Sequence, residues 1–205
     1  MGHRDPLYAY ATTVSAEYMG IKPLYTTKRL NKVYNDEDTV LVRKFKDGDE
    51  KAFDQLYEKY RISLYSICYR YTRNDADARD VTQEIFIKVY RNLKKFNEKS
   101  KFFTWLYRIT VNTCISFKRK NPPLQPKNHV PSNPLPMERR VRMKADIDDA
   151  LVQLPKRQRL TFILHHYEGY TFAETAAIMN ISTGAAKANH YHAIKKLQVL
   201  LKRWL

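Results

Sequence analysis

A group of side chains near the end of the chain has the types and spacing of a DNA-contacting surface. Four of them fall at i, i+1, i+4 and i+5, which places them on one face of a helix, and two more start that helix. They are Lys187, Ala188, Tyr191 and His192, with Ser182 and Thr183 before them. No Asp or Glu occurs from Thr175 to Leu205, so DNA phosphates would be tolerated along this stretch. The residues predict non-covalent contacts to bases and phosphates.

The segment from Thr171 to Ala193 would hold that surface as a helix-turn-helix, with the turn at Asn180. Small residues at Ala176 and Ala177 allow close helix packing, and Ile181 can fill the angle between the helices. A plain helical hairpin is the alternative, because such pairs are common. The missing acidic residues favour DNA binding.

A second group of residues suits unpaired bases. Trp105, Arg108 and Asn112 share one face of a predicted helix, and an aromatic ring, a cation and an amide can stack on bases and bond their edges. Flanking cations extend the surface: Lys101, Lys118, Arg119 and Lys120. No acid occurs from Lys99 through Met137. The alternatives are that Trp105 is a core residue and that the terminal cations only offset the helix dipole.

A third group is acidic in an otherwise basic chain. Asp80, Gln83 and Glu84 lie opposite an apolar stripe on their helix and predict a docking face for a protein with Arg or Lys. A solvated helix face is the alternative.

The elements that position these groups are helical, since apolar residues recur at three- and four-residue steps. Six of the nine prolines crowd between Asn121 and Met137, which predicts a linker. We therefore expect an all-α protein of two small helical domains: an unassigned extension (1–35), a bundle (36–120), the linker (121–137) and a helix-turn-helix unit (138–205). The predicted helices are Asp38 (as cap) to Phe45, one capped by Asp49, one from Asp77, Phe102–Lys118, Arg139–Gln153, Lys156–His166, Thr171–Met179 and Ser182–Arg203.

The charge balance points to a polyanionic partner, with 37 Lys plus Arg against 21 Asp plus Glu. No phosphate loop, nucleophile motif or metal-spaced His or Cys cluster occurs, so we expect neither an enzyme nor a cofactor. Cys68 and Cys114 lie in apolar helical patterns and predict a reduced, cytoplasmic protein. No apolar run is long enough to insert into a membrane.

Three ordered segments resemble the extracytoplasmic-function (ECF) family of bacterial RNA polymerase sigma factors. The run Asp77–Tyr90 resembles the family's polymerase-binding segment, and Phe102–Asn112 resembles its promoter-melting and −10 recognition helix. The run from Leu154 and the helix-turn-helix resemble its −35-binding domain. The resemblance covers about residues 38 to 204.

The resemblance implies partners and roles. The acidic face would meet the clamp helices of the polymerase largest subunit, with a further contact to the flap, and the Trp105 helix would open and hold the −10 element. The segment Phe96–Lys101 would shape a pocket for a flipped base, and the first group of residues would meet the −35 element of promoter DNA. An anti-sigma factor or another regulatory protein is expected as a partner, and the protein would be nucleoid-associated when active.

The chain also departs from the family pattern. Where many relatives place several arginines on the last helix, it has Asn189, His192 and Ile194, which predicts weak −35 selectivity. A free-standing helix-turn-helix regulator would share the C-terminal half. The acidic face and the Trp105 helix argue against that alternative.

Overall fold

The computed structural model describes residues 27–117 and 146–202, and within those ranges the protein is all helical. Four helices form an N-terminal bundle: α1 (Thr27–Lys46), α2 (Glu50–Thr72), α3 (Asp75–Leu93) and α4 (Phe102–Ser116). The second unit contains α5 (146–152), α6 (Lys156–Phe162), a π-helical turn (Ile163–Tyr167), α7 (Phe172–Met179) and α8 (Thr183–Leu200). Across the described ranges, no helix combines the length and hydropathy of a membrane span. The predicted linker lies outside the described residues.

Local capping explains most helix starts. Asp49 caps α2 by accepting a hydrogen bond from the backbone N–H of Lys51, as predicted. Thr171 and Glu174 form a reciprocal capping box at α7. Asn180 ends α7 with a left-handed φ of 52°, which confirms the predicted turn. Ser182 caps α8.

The prediction that Asp38 begins a helix is wrong. The helix starts at Thr27, and Asp38 is buried in its interior. Its carboxylate lies 2.7 Å from Lys59 Nζ and accepts a hydrogen bond from the Tyr60 hydroxyl at 2.5 Å. Burial raises the pKa of Asp38, and the bonds from Lys59 and Tyr60 oppose that effect. Sequence alone does not distinguish an aspartate that caps a helix from one, such as Asp38, that bonds a residue distant in the chain.

Other boundaries shift by a few residues. The third helix begins at Asp75 because Asn74, rather than a later residue, caps it. The fourth ends at Ser116. The predicted helix through His166 becomes π-helical from Ile163. The part of the predicted Arg139–Gln153 helix before residue 146 lies outside the described residues.

The bundle core is formed by apolar side chains of α2, α3 and α4 that are fully buried, including Leu64, Ile85 and Leu106. It continues without a break into the second unit through Leu164 and Ile178. A smaller cluster around Leu151 and Leu197 joins α5, α6 and α8. The two units are therefore packed together.

Both cysteines, Cys68 and Cys114, are free and buried in the bundle core.

Candidate nucleic-acid and protein-binding faces

The predicted base-binding face lies on α4, and its three residues differ in exposure. Asn112 is exposed. Trp105 is half-buried, with its ring centroid 5.0 Å from that of Phe96 and 5.8 Å from that of Phe102. Arg108 donates from Nε to the carbonyl oxygen of Ala177 in α7 at 2.8 Å. Asn112 is thus exposed, Trp105 is partly covered by two aromatic rings, and Arg108 is already bonded.

A cleft of about 590 Å³ lies between this face and α3. Trp105 and Asn112 line it together with three residues that the sequence reasoning missed, Lys88 and Asn92 of α3 and Lys95 just after that helix. Lys88 Nζ donates to the hydroxyl of Thr113 at 3.2 Å across the cleft. Their i, i+4 and i+7 spacing was a usable signal. Two lysines, two amides and a tryptophan suit a single nucleotide with its phosphate.

The flanking cations are only partly described. Lys101 is exposed at the residue before α4, and no side-chain cap occurs there. Lys118, Arg119 and Lys120 lie outside the described residues.

The acidic face of α3 is exposed at all three predicted positions: Asp80, Gln83 and Glu84. Glu84 pairs with Lys88 at 2.6 Å, one helical turn away. Gln83 also lines an apolar groove of about 680 Å³ between α2 and α3, whereas the two carboxylates stand outside that lining.

The groove was missed by the sequence reasoning. Its rim includes large exposed apolar side chains, with Ile62 66% exposed and Ile87 44% exposed. Five aromatic residues add to its apolar walls: Phe53, Tyr57, Tyr65, Phe86 and Tyr90. Three arginines also line it: Arg61, Arg79 and Arg91. Exposed apolar area of this kind marks a protein-binding surface. The signal was present in Ile62 and Ile87, which interrupt the polar faces of their helices.

The predicted major-groove face of α8 is exposed at Lys187, Ala188, Tyr191 and His192. The Nζ atom of Lys195 lies 5.7 Å from the centroid of the Tyr191 ring. At the start of the helix, Thr183 is exposed, while the Ser182 hydroxyl oxygen already accepts the N–H of Ala185 at 3.1 Å. Five of the six predicted residues are therefore exposed without a capping role, and Ser182 serves as the cap.

Behind that face, three histidines pack together. His190 and His166 share a hydrogen bond of 2.6 Å between their Nε2 atoms, and His165 Nδ1 bonds the carbonyl of Tyr170 at 2.7 Å. Burial lowers the pKa of His166 to about 3 and that of His190 to about 4. Both are neutral at pH 7 and support α8 by packing. In residues 27–117 and 146–202, no side-chain group is arranged to hold a metal ion.

Ion pairs and a cation–π contact connect the two units. Arg73 pairs with Asp148 at 3.1 Å and with Asp149 at 3.3 Å. The guanidinium of Arg70 lies 3.9 Å from the centroid of the Tyr167 ring. These contacts join the end of α2 to the second unit.

Further contacts reach α4 itself. Lys156 Nζ donates to the carbonyl of Ile115 at 2.6 Å, and Tyr170 packs edge-on against Phe103 and Tyr107. Together with the Arg108 bond, they place the second unit directly on α4.

Comparison with known proteins matches both units. Residues 56–122 match sigma-70 region 2, and residues 144–197 match sigma-70 region 4. The RNA polymerase sigma-H factor of Pseudomonas aeruginosa is 30% identical over 187 residues, which cover 82% of this chain and 97% of that protein. The ECF RNA polymerase sigma-E factor of Escherichia coli K12 is 31% identical over 186 residues, covering 81% and 97%.

Two solved structures share the fold. CnrH in complex with the cytosolic domain of CnrY has a TM-score of 0.62 at 23% identity, covering 82% of this chain and 98% of that chain. The sigma factor RpoE in complex with the anti-sigma factor NepR from Bartonella quintana has a TM-score of 0.53 at 22% identity, covering 74% and 98%. Given the relatives that match both of its helical units, the chain belongs to the ECF family of RNA polymerase sigma factors.

Proposed function

We propose that this protein binds core RNA polymerase and directs it to promoter DNA, where it recognises and opens the −10 element. The cleft between α3 and α4 is the observation that carries the proposal. It combines Trp105 and Asn112 with Lys95 and with Lys88, whose ammonium group also pairs with Glu84. Stacking, amide bonding and phosphate neutralisation are what a single unpaired nucleotide requires. The protein supplies binding energy and no catalytic chemistry of its own.

Polymerase docking is assigned to the α2–α3 groove and the adjoining acidic face. The groove supplies apolar area for affinity, and Asp80 and Glu84 beside it supply charge for orientation. The partner surface would present an apolar centre to the groove and basic residues only to the adjoining acidic face, as we expect for the clamp helices of the largest subunit. The polymerase flap is the proposed second contact, through region 4.

Region 4 would contact the −35 element through α8. Lys187 offers a point charge to phosphate, but the exposed face carries no arginine for bidentate pairing with guanine. Strong affinity with little sequence preference follows, and −10 recognition would dominate promoter choice.

Contact with both promoter elements requires the two units to separate. The elements are about 25 base pairs apart, or roughly 85 Å of duplex, whereas Arg108 of the first unit and Ala177 of the second are joined by a hydrogen bond of 2.8 Å. Separation frees Arg108 from Ala177. An anti-sigma factor would act by holding the units away from polymerase. The site of action would be the nucleoid in the bacterial cytoplasm.

Transcription in vitro tests the proposal directly. Core polymerase, a library of promoter-like DNA and this protein should yield specific transcripts that core polymerase alone does not produce. Absence of any protein-dependent transcript, with core binding intact, would contradict promoter recognition. Absence of core binding would contradict the docking assignment.

A further inference from the structure

The loop between α3 and α4 contains an acidic residue in an unusual conformation. Glu98 has φ of 60°, in the left-handed region that non-glycine residues rarely adopt. It is the one acidic residue between Phe96 and Lys101, next to a surface proposed to meet DNA. Without partners for its carboxylate, Glu98 would repel DNA phosphate, and its backbone would relax to a more common conformation.

Two cations of α1 hold this residue. Arg43 donates from Nη2 to Glu98 Oε2 at 2.8 Å, and Lys46 donates from Nζ to Oε1 at 3.1 Å. Both carboxylate oxygens are therefore engaged. These hydrogen bonds, that of Arg43 first, lower the pKa of Glu98 and keep it ionised.

Lys46 also binds the loop backbone. Its Nζ atom donates to the carbonyl of Phe96 at 2.6 Å and lies 5.8 Å from the centroid of the Phe96 ring. Exposed ion pairs contribute little singly, but here one ammonium joins a carboxylate, a carbonyl and a ring. The loop is thereby fixed to α1 at two adjacent positions.

Phe96 carries this constraint to the nucleotide cleft. Its buried ring packs 5.0 Å from that of Trp105, which lines the cleft. A displaced Phe96 would leave the Trp105 ring without its support. Stacking on a base depends on that ring holding one orientation.

We propose that Arg43 and Lys46 are positioning residues for −10 recognition, clamping Glu98 and Phe96 so that Trp105 is preset to stack on an unpaired base. This inference rests on the proposed function. It assigns to α1 a part in strand discrimination although α1 does not line the cleft.

The test compares Lys46→Met with Lys44→Met in full-length protein bound to core polymerase. Both changes remove one positive charge from the same helix, and the exposed Lys44 side chain forms no hydrogen bond or ion pair with the loop in the described part of the chain. Two single-stranded DNA probes are used. One carries the −10 sequence that wild-type holoenzyme selects from a randomised pool, and the other carries an unselected sequence. We expect Lys46→Met to lose roughly tenfold in the affinity ratio of the two strands. Lys44→Met and the conservative Lys46→Arg should keep the wild-type ratio.

A second measurement reads the position of Trp105 without DNA. In a Trp204→Phe background, which leaves one tryptophan, acrylamide quenching of Trp105 should rise in Lys46→Met and stay unchanged in Lys44→Met. Equal strand-affinity ratios and equal quenching in Lys46→Met and Lys44→Met would overturn the proposal. A Lys46→Arg variant that does not keep the wild-type ratio and quenching would also overturn it. A wild-type holoenzyme without strand preference would overturn the proposed function and this inference with it. Core polymerase affinity and helical circular dichroism are measured for each variant, and unchanged values would exclude misfolding as the cause of a lost strand preference.

Discussion

Glu168 provides a pH-dependent test of how region 4 packs on region 2. Its carboxyl follows the π-helical turn and faces Ser63 and Arg70 of α2, and burial raises its pKa from 4.5 to about 7. Arg70 and Ser63 oppose that effect. An acid whose folded pKa is raised costs stability as pH rises from its unfolded pKa toward its folded pKa.

Replacing Glu168 by Gln removes that cost. With pKa values of 4.5 unfolded and about 7 folded, the cost is about 1 kcal/mol at pH 5 and about 3 kcal/mol at pH 8. Glu168→Gln should therefore be more stable than wild type at both pH values, and the gain should grow by about 2 kcal/mol between them.

Urea unfolding at pH 5, 6, 7 and 8 measures the gain. The depressed pKa values of His166 and His190 act in both proteins, so the difference between variant and wild type isolates Glu168. Glu58→Gln removes the same charge from an exposed position of α2 and serves as the matched control. A gain from Glu168→Gln that does not change with pH would refute the reasoning.

Three further predictions concern the binding faces. Asp80→Arg combined with Glu84→Arg should weaken core polymerase binding severalfold by placing like charges opposite the partner, with unchanged circular dichroism; unchanged affinity would remove the docking role. Trp105→Ala and Asn112→Ala should impair transcription from duplex promoters about tenfold more than from pre-opened bubbles, and equal losses would mark both as structural. Lys187→Ala should weaken duplex DNA binding to a similar degree for all sequences and reduce its salt dependence; a loss confined to one sequence would show base readout by this lysine.

Sequence reasoning succeeded where the determining contacts are local. Asp49 caps α2 as predicted, by accepting a bond from a backbone N–H two residues away, and Asn180 ends α7 at the predicted turn by its own conformation. Exposure of the α8 face followed from helical periodicity alone. Contacts of this range can be read from a short window of sequence.

Distant contacts explain the failures. Asp38 finds its partners 21 and 22 residues away, so its capping pattern misled. The bond from Arg108 to a backbone carbonyl 69 residues on could not be anticipated either, and the DNA role of Arg108 stays a prediction. The packing of the two units depends on pairs such as Arg73 with Asp148, which no local pattern marks.

The packing of region 4 on α4 also sets the scale of every affinity measured on the free protein. A chain that is open about 1% of the time binds roughly a hundredfold more weakly than its separated faces would. Arg73, Arg70 and Lys156 would therefore weaken promoter binding by the free protein, because the contacts they make between the units must break before both units can bind DNA. Polymerase would bind the chain with its two units separated, so the free-energy cost of separating them would not reduce DNA affinity in the holoenzyme. Under the proposed function, these three residues would make DNA binding depend on polymerase.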